Sequence, residues 1–398
     1  MRFAIIMALN MQTTIISYMV YRLTKDQLSL GMLGLAEVIP AIGFSLVSGH
    51  FIDQREKRTS VVQCLIGYLF LAAFYVLLST DYFQRSAGVH TTVWLIYAGV
   101  FISGFLRAFL SPATFALLSL IVPRKEYPNA TTWSSAAWQT GAVIGPLLGG
   151  AAIAIMGFEW SLVLVAVALF IGFMATVRIP KQDIQLKEKE PILKSLSQGL
   201  KFVFSTQAVL AALALDMFAV LFGGAVALLP VYADDILKVG EVGYGWLRAA
   251  PGIGAVICLG ILSFAPLKKN PGIKLLLAIA GFGVTTIIFG ISTNFFLSFA
   301  MLLLGGLFDA VSVVIRGTIL QIYTPDSMRG RVAAVNTMFI SSSNELGALE
   351  SGVTAKWMGT VPAVVFGGCM TLLVVGTTYL KAPILKVLKL DPNETDKT

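Results

Sequence analysis

Long apolar stretches alternate with short polar breaks along the whole 398-residue chain. A helix that crosses hydrocarbon needs about 20 residues, whereas a membrane barrel strand alternates over only about ten. The runs here are too long and too rich in glycine for strands. They predict twelve transmembrane helices, at 2–21, 31–52, 60–80, 92–121, 130–157, 159–178, 208–232, 243–267, 272–292, 294–321, 331–358 and 360–381. The first run follows Arg2 as a signal peptide would. Asn10, Gln12, Thr13 and Thr14 interrupt it, however, and no small-x-small cleavage site follows, so it reads as a helix.

The longest polar break, 179–207, holds the charged run PKQDIQLKEKEP and then Leu193, Leu196, Leu200 and Val203 at helical spacing. That pattern predicts a linker with a short interfacial helix. The chain therefore divides into a six-helix bundle at 1–178, a cytoplasmic linker at 179–207, a second six-helix bundle at 208–385 and a cytoplasmic tail at 386–398.

Composition identifies the solvent. Hydrophobic residues make up 57% of the chain, with 37 glycines besides, and charged residues only 13%. Soluble domains run at roughly 45–50% apolar and about 25% charged. Lipid must surround most of this chain, which excludes soluble enzymes, disordered proteins and disulfide scaffolds. Cys64, Cys258 and Cys369 each sit in an apolar run, and His50 and His90 are far apart. Neither a metal cluster nor a paired nucleophile and base can be read from them. The net charge of +8 then reads as orientation. With both termini inside, 21 Lys and Arg fall on the inner side, and Arg22, Lys25, Arg85, Lys238 and Lys356 alone on the outer. Positive residues concentrate on the cytoplasmic side.

The two halves also resemble each other. At an offset of 202, Pro123 aligns with Pro325, Gly145 with Gly347, Gly150 with Gly352, Met156 with Met358 and Gly157 with Gly359. At an offset of 211, Gly34 aligns with Gly245, Glu37 with Arg248, Pro40 with Pro251 and Gly43 with Gly254. Duplicated bundles of this kind are the layout of transporters that rock about a midplane site.

Two motifs stand out. GHFIDQREKR, from Gly49 to Arg58, joins the second and third predicted helices. An Asp at a helix end can hold a neighbouring cation or another helix's dipole, so such a turn can lock helix ends together. GAVIGPLLGG sets Gly141, Gly145, Gly149 and Gly150 around Pro146. Glycines one turn apart admit a neighbouring backbone, and the proline frees a carbonyl and bends the helix. The structural alternatives are a merely positive-inside loop and plain small-residue packing. The first motif resembles the loop signature G-x-L-A-D-R-x-G-R-R of the major facilitator superfamily at Gly49, Asp53, Lys57 and Arg58. Gln54 and Glu56 depart from it, and the corresponding APLKKNPG loop of the second half lacks the Asp. The second motif resembles the fifth-helix pattern G-x-x-x-G-P-x-x-G-G at every fixed position, which within that superfamily is associated with exporters. Segments 215–237 and 336–352 are similar to the bacterial siderophore (enterobactin) exporter group. The resemblance implies gating roles for both motifs.

Ionisable side chains inside lipid are costly unless they face a bundle interior, so each marks a candidate site. The set is Glu37, Arg107, Asp216, Arg248, Asp309, Arg316, Glu345 and Glu350. Asp216, the only charge in its predicted helix, and Glu345 are the candidate proton-coupling carboxyls. Arg107 is the candidate to hold an anionic substrate, with Asn10, Gln139, Asn336, Ser342 and Asn344 as polar company and Trp138 and Phe218 as aromatic walls. The alternative for the set is a structural charge chain that pins helices; Asp309 and Arg316, seven apart, share one helix face. The polar run Ser341–Glu345 covers more than one face, so part of it must meet water or polar neighbours.

These features read as an all-α secondary transporter, twelve helices in two six-helix pseudo-repeats. It exports a small amphipathic, acidic organic compound, a siderophore in the leading reading, from a bacterial inner membrane by proton antiport and alternating access. Multidrug efflux or lipid flipping on the same fold is the alternative. A membrane-embedded lipid enzyme is a more distant one, against which the scattered histidines argue. No G-x-x-x-x-G-K-[ST] loop occurs, so ATP is not the direct energy source, and no cofactor or metal is implied. Expected partners are the small-molecule substrate, protons and membrane lipid; nucleic acid is not expected, and the chain is read as a monomer.

Overall fold

The computed structural model describes residues 1–181, 192–264, 270–325, 328–385 and 388; at positions 45–47, 49, 50, 53, 124, 128 and 192–196 it describes the backbone alone. The predicted tail 386–398 and the charged part of the linker thus lie almost wholly outside the described residues. Every element among the described residues is helical. The main ones are α1 (Arg2–Thr24), α2 (Gln27–Asp53), α3 (Lys57–Ser79), α4 (Asp81–Ile121), α5 (Tyr127–Val177), α6 (Ile192–Ser205), α7 (Gln207–Gly223), α8 (Gly240–Phe264), α9 (Pro271–Ile291), α10 (Phe295–Tyr323), α11 (Arg329–Met358) and α12 (Thr360–Lys381).

Several boundaries follow from caps. The Asp26 side chain accepts from the Ser29 amide at 3.2 Å, so α2 starts before its apolar run does. Glu56 accepts from the Arg58 and Thr59 amides at 3.0 and 2.8 Å and opens α3. Asn294 does the same for α10. Such caps satisfy amides that a helix start leaves without partners.

Two elements are broken by glycine. The 51 residues of α5 would reach about 77 Å if straight, against a hydrocarbon core of about 30 Å. At Gly157 the backbone takes φ 74°, ψ −178°, a conformation costly for any residue with a Cβ. This break falls where the apolar pattern separates 130–157 from 159–178. In α4 the break is at Gly88, with φ 77° and ψ 160°. The helix expected at 92–121 is corrected accordingly: helical backbone begins at Asp81 and re-forms after Gly88. The run 208–232 is not one regular helix either. Helix α7 stops at Gly223; a 3-10 turn (Ala225–Leu228), one helical turn (Leu229–Val231) and a π turn (Tyr232–Ile236) follow. The Gly223-Gly224 pair weakens helix there, and Pro230 has no amide to donate.

Ten helical segments among the described residues are long and apolar enough to cross a membrane; both arms of α5 fall within one of them. Helix α11 is long enough, at 30 residues, but its serine-rich middle dilutes its hydropathy.

The chain forms two compact units. The first is Met1–Lys189 with Leu229–Ala249, the second Glu190–Leu228 with Ala250–Thr398. In the first, α1 lies along α5, α2 along α4, and α3 against α4 and α5. In the second, α9 packs on α10 and α12, α7 on α11 and α12, and α6 on α11. Each unit contains a proline–glycine approach of the same kind. A Cβ on Gly104 of α4 would collide with Pro40 and the Glu37 carbonyl of α2; a Cβ on Gly306 of α10 would collide with Pro251 of α8. Where lipid is the solvent, this closeness of backbones, and not water exclusion, holds helices together.

Candidate functional site

The first unit encloses a cavity of about 280 Å³ between α1, α2, α3, α4 and α5. Arg107 on α4 reaches Glu37 on α2, Nη1 to Oε1 2.9 Å. Arg2, also lining it, donates to the Ser134 hydroxyl. Asn10 donates its amide to the Ile6 carbonyl at 2.9 Å, which leaves its Oδ1 available. Gln12 is 4% exposed, and its Oε1 has no hydrogen-bond partner among the described residues. Trp138 completes one wall. Two guanidinium groups face one carboxylate here, so the lining carries net positive charge. Guanidinium forks suit planar anions such as carboxylates.

The second unit holds a cavity of about 200 Å³ lined by α7, α8, α9, α10 and α11. Asp216 and Arg316, both buried, form a direct ion pair there. The Ser312 hydroxyl donates to the same carboxylate at 3.0 Å. Asp309, one turn from Gly305 and Gly306, also opens into the cavity, beside Thr285, Thr286, Ser343 and Asn344. Among the described residues, Asp309 has no hydrogen bond and no ion pair. Phe282, Phe289 and Met301 supply apolar walls.

The sequence candidates divide among these places. Asn10, Arg107 and Trp138 come together in the first cavity, and Asp216 and Asn344 in the second. Phe218 lines a separate groove of the second unit, of about 620 Å³, near Lys381. Gln139, Asn336, Ser342 and Glu345 line none of the three. Asn336 is half-buried, with an Oδ1 that has no partner among the described residues. Glu37 and Gln12 belong to the first cavity and Asp309 to the second. All three were readable as polar interruptions, but nothing in the pattern joined them to a chamber.

The glycine motif serves two neighbours. A Cβ at Gly141, Gly145 or Gly149 would press on successive turns of α1, at Met7, Asn10 and Thr14. Gly150 instead meets the first turns of α8, at Glu241 and Gly245, and Gly245 meets the Pro146 carbonyl. In the loop after α2, Lys57 donates to the carbonyls of Ile52 (2.6 Å) and Arg55 (3.1 Å), and Arg58 to that of Val177 at the end of α5 (2.6 Å). Glu56, which departs from the loop signature, is the cap of α3. Of Gly49 and Asp53 only the backbone is described.

A further cluster escaped the sequence reading. At the end of α1, Tyr18 donates to Asp234 at 2.7 Å and Tyr21 donates to Asp235. Arg22 pairs with Asp234 at 3.1 Å and with Glu241 at 3.6 Å, while Lys25 bridges Asp234 and Asp235. The Tyr18 ring stacks on Tyr244 with centroids 5.1 Å apart. This clasp ties the π turn and the start of α8 to α1. Its signal was an acidic pair at a helix end, together with Arg22 and Lys25 among the few cations assigned to the other side.

The family model of the Major Facilitator Superfamily matches residues 1–348. The enterobactin exporter EntS of Escherichia coli O1:K1 / APEC is 26% identical over 341 residues, covering 84% of this chain and 78% of the exporter. The enterobactin exporter EntS of Shigella boydii serotype 18 is 26% identical over 342 residues, with the same coverage. A D-xylose-proton symporter has a similar fold, with TM-score 0.73 over 98% of both chains at 12% identity. So has a POT family transporter bound to 5-aminolevulinic acid, with TM-score 0.71 over 96% of both chains at 11% identity. With its many membrane-length helices, the chain is a multi-pass membrane protein and belongs to the Major Facilitator Superfamily of transporters.

Proposed function

We propose that this transporter exports a small, acidic, amphipathic organic compound of the siderophore class from the cytoplasm of a bacterium, in exchange for protons. The observation that carries this reading is the first-unit cavity. Its cationic lining and the Trp138 wall fit an acidic ring compound better than a cationic drug, and the Gln12 Oε1, without a partner among the described residues, can accept from a ring hydroxyl. The glycine motif of α5 and the relatives named as enterobactin exporters favour export of such a compound. Twelve spans result if the two arms of α5 each cross and α11 crosses with its serine face turned from lipid. The paired Pro40–Gly104 and Pro251–Gly306 approaches support two like-built halves. The charge distribution supports termini on the cytoplasmic side.

In this reading Arg107 exchanges Glu37 for the substrate's anionic group. Asp216 and Glu345 are the candidate coupling carboxyls, Asp216 exchanging a proton only when Arg316 releases it. The loop at 49–58 and the α5 glycines gate one face, and the Tyr18–Asp234 clasp holds the opposite face closed until substrate or protons shift the balance.

Proteoliposomes carrying the full chain test this with a catecholate siderophore and, separately, a cationic dye, each with and without a proton gradient. Gradient-driven movement of the siderophore, with an Arg107→Ala variant raising KM more than it lowers kcat, is the expected result. Movement of the dye alone would replace this reading with multidrug efflux.

A further inference from the structure

The cavity of the second unit holds three charges and an unusual set of polar groups. Arg316 and Asp216 neutralise each other. Asp309 remains, and no other lining residue is a cation. The hydroxyls around it have turned their donors away, and Asn344 spends one of its two amide N–H groups on its own helix. The Thr285 and Thr286 hydroxyls both donate to the Phe282 carbonyl at 2.9 Å. The Ser343 hydroxyl donates to the Ile340 carbonyl at 3.0 Å, as does the Asn344 amide. What these groups offer the cavity is chiefly oxygen lone pairs. An ionised Asp309 would share the cavity with acceptors, apolar walls and a guanidinium already committed to Asp216. An isolated ionised carboxylate in such surroundings neutralises in preference to remaining charged. A protonated one becomes a donor, and the oxygens of Thr285, Thr286, Ser343 and Asn344 line the same cavity as acceptors.

We infer that this cavity is a proton-binding site in which Asp309 holds the proton while Arg316 holds Asp216 ionised. Every titratable or charged neighbour is consistent with this. Helix α7 contributes Asp216, already paired. Asp309's own helix contributes Arg316, already paired. Helix α8 brings Cys258 near Asp309 and carries Arg248, whose guanidinium donates to the Tyr244 hydroxyl at 3.3 Å. Helices α9 and α11 line the cavity with Thr285, Thr286, Ser343 and Asn344, none of which titrates. Sequence spacing puts Asp309 and Arg316 on one helix face, and Arg316 is taken by Asp216 of α7.

The site stands on this geometry alone; its part in transport rests on the proton-exchange reading above. Two experiments separate them. Infrared difference spectra of the purified full-length protein at neutral pH should show a protonated-carboxyl band that Asp309→Asn removes and Asp309→Glu retains. In the unmodified protein, dicyclohexylcarbodiimide, which reacts with protonated carboxyls in apolar surroundings, should label Asp309. A band that survives Asp309→Asn, or label that spares Asp309, overturns the inference. So does a band abolished by sodium chloride at constant pH, which would make the cavity a metal-cation site. In proteoliposomes with the catecholate probe, Asp309→Asn should lose stimulation by the proton gradient while substrate exchange persists. A wild-type protein that moves no catecholate but keeps the infrared band and label would remove the siderophore reading and leave the proton site standing.

Discussion

The Glu37 carboxylate is 18% exposed and carries its charge into a helix bundle because Arg107 meets it. Removing one member of such a pair leaves a poorly solvated charge, which costs more than the pair itself is worth. Arg107→Ala should therefore lower stability by ~1–3 kcal/mol, the penalty of an unsatisfied charged group. Glu37→Gln added to it should restore most of the loss, read by thermal unfolding of the detergent-solubilised protein. The clasp divides differently. Arg22 and Lys25 are about half exposed, so salt screens their pairs with Asp234, whereas the Tyr18–Asp234 hydrogen bond is held by a buried tyrosine. Asp234→Asn should cost ~1–2 kcal/mol at low salt. The gap to wild type should narrow, without closing, as salt is raised. Sequence showed Arg107 and Asp216 as charges in lipid, but not what they meet. Glu37, Arg316 and Asp234 come from distant chain positions, and such pairings leave no periodic trace.

Helices were legible where their signals are local. The Gly157 break lies between two apolar runs, and the start of α10 lies at the edge of its run, whereas α2 and α3 begin ahead of their runs at the caps Asp26 and Glu56. The end of α7 was not legible, because Val226, Leu228 and Leu229 keep the sequence apolar through the 3-10, helical and π turns. Composition reports burial there, not dihedral angles. The glycine motif was legible as close packing but not in its partners: three of its glycines take α1 and the fourth takes α8. That division makes a graded test. A Cβ added at Gly43 would meet nothing within 4 Å, so Gly43→Ala should stabilise by ~0.5–1 kcal/mol through helix propensity alone. Gly145→Leu must push against the Met7 carbonyl and the Asn10 Cβ, and should lose folded protein, measured as monodisperse yield. Gly150→Ala should leave α1 in place and disturb the attachment of α8, which proteolysis within 229–249 would reveal. Equal behaviour of the three variants would mean that the glycines only favour helix bending.

Residues 229–249 lie in the second half of the sequence yet pack within the first unit, fastened by the clasp and by the Gly150–Gly245 approach. At both ends the chain continues directly into the second unit, at Leu228 and at Ala250. A transporter that alternates access must let its halves move apart on each side in turn. In the proposed cycle, this segment cannot stay bound to α1 throughout. A fixed clasp would hold one face shut in every state. In a background with Cys64, Cys258 and Cys369 replaced, Arg22→Cys and Glu241→Cys joined by a short bis-maleimide should therefore stop net transport. Binding of the catecholate to the joined protein should persist, because Arg107, Gln12 and Trp138 lie on α4, α1 and α5, away from the bridged pair. The same variant without the reagent should still transport, since Arg22 and Glu241 contribute only a half-exposed pair to the clasp. Full transport by the joined protein would show that 229–249 rides permanently with the first unit. The opening would then have to occur within α7 and α8 themselves, where α7 stops at Gly223 and Pro251 lacks the amide that would donate within α8.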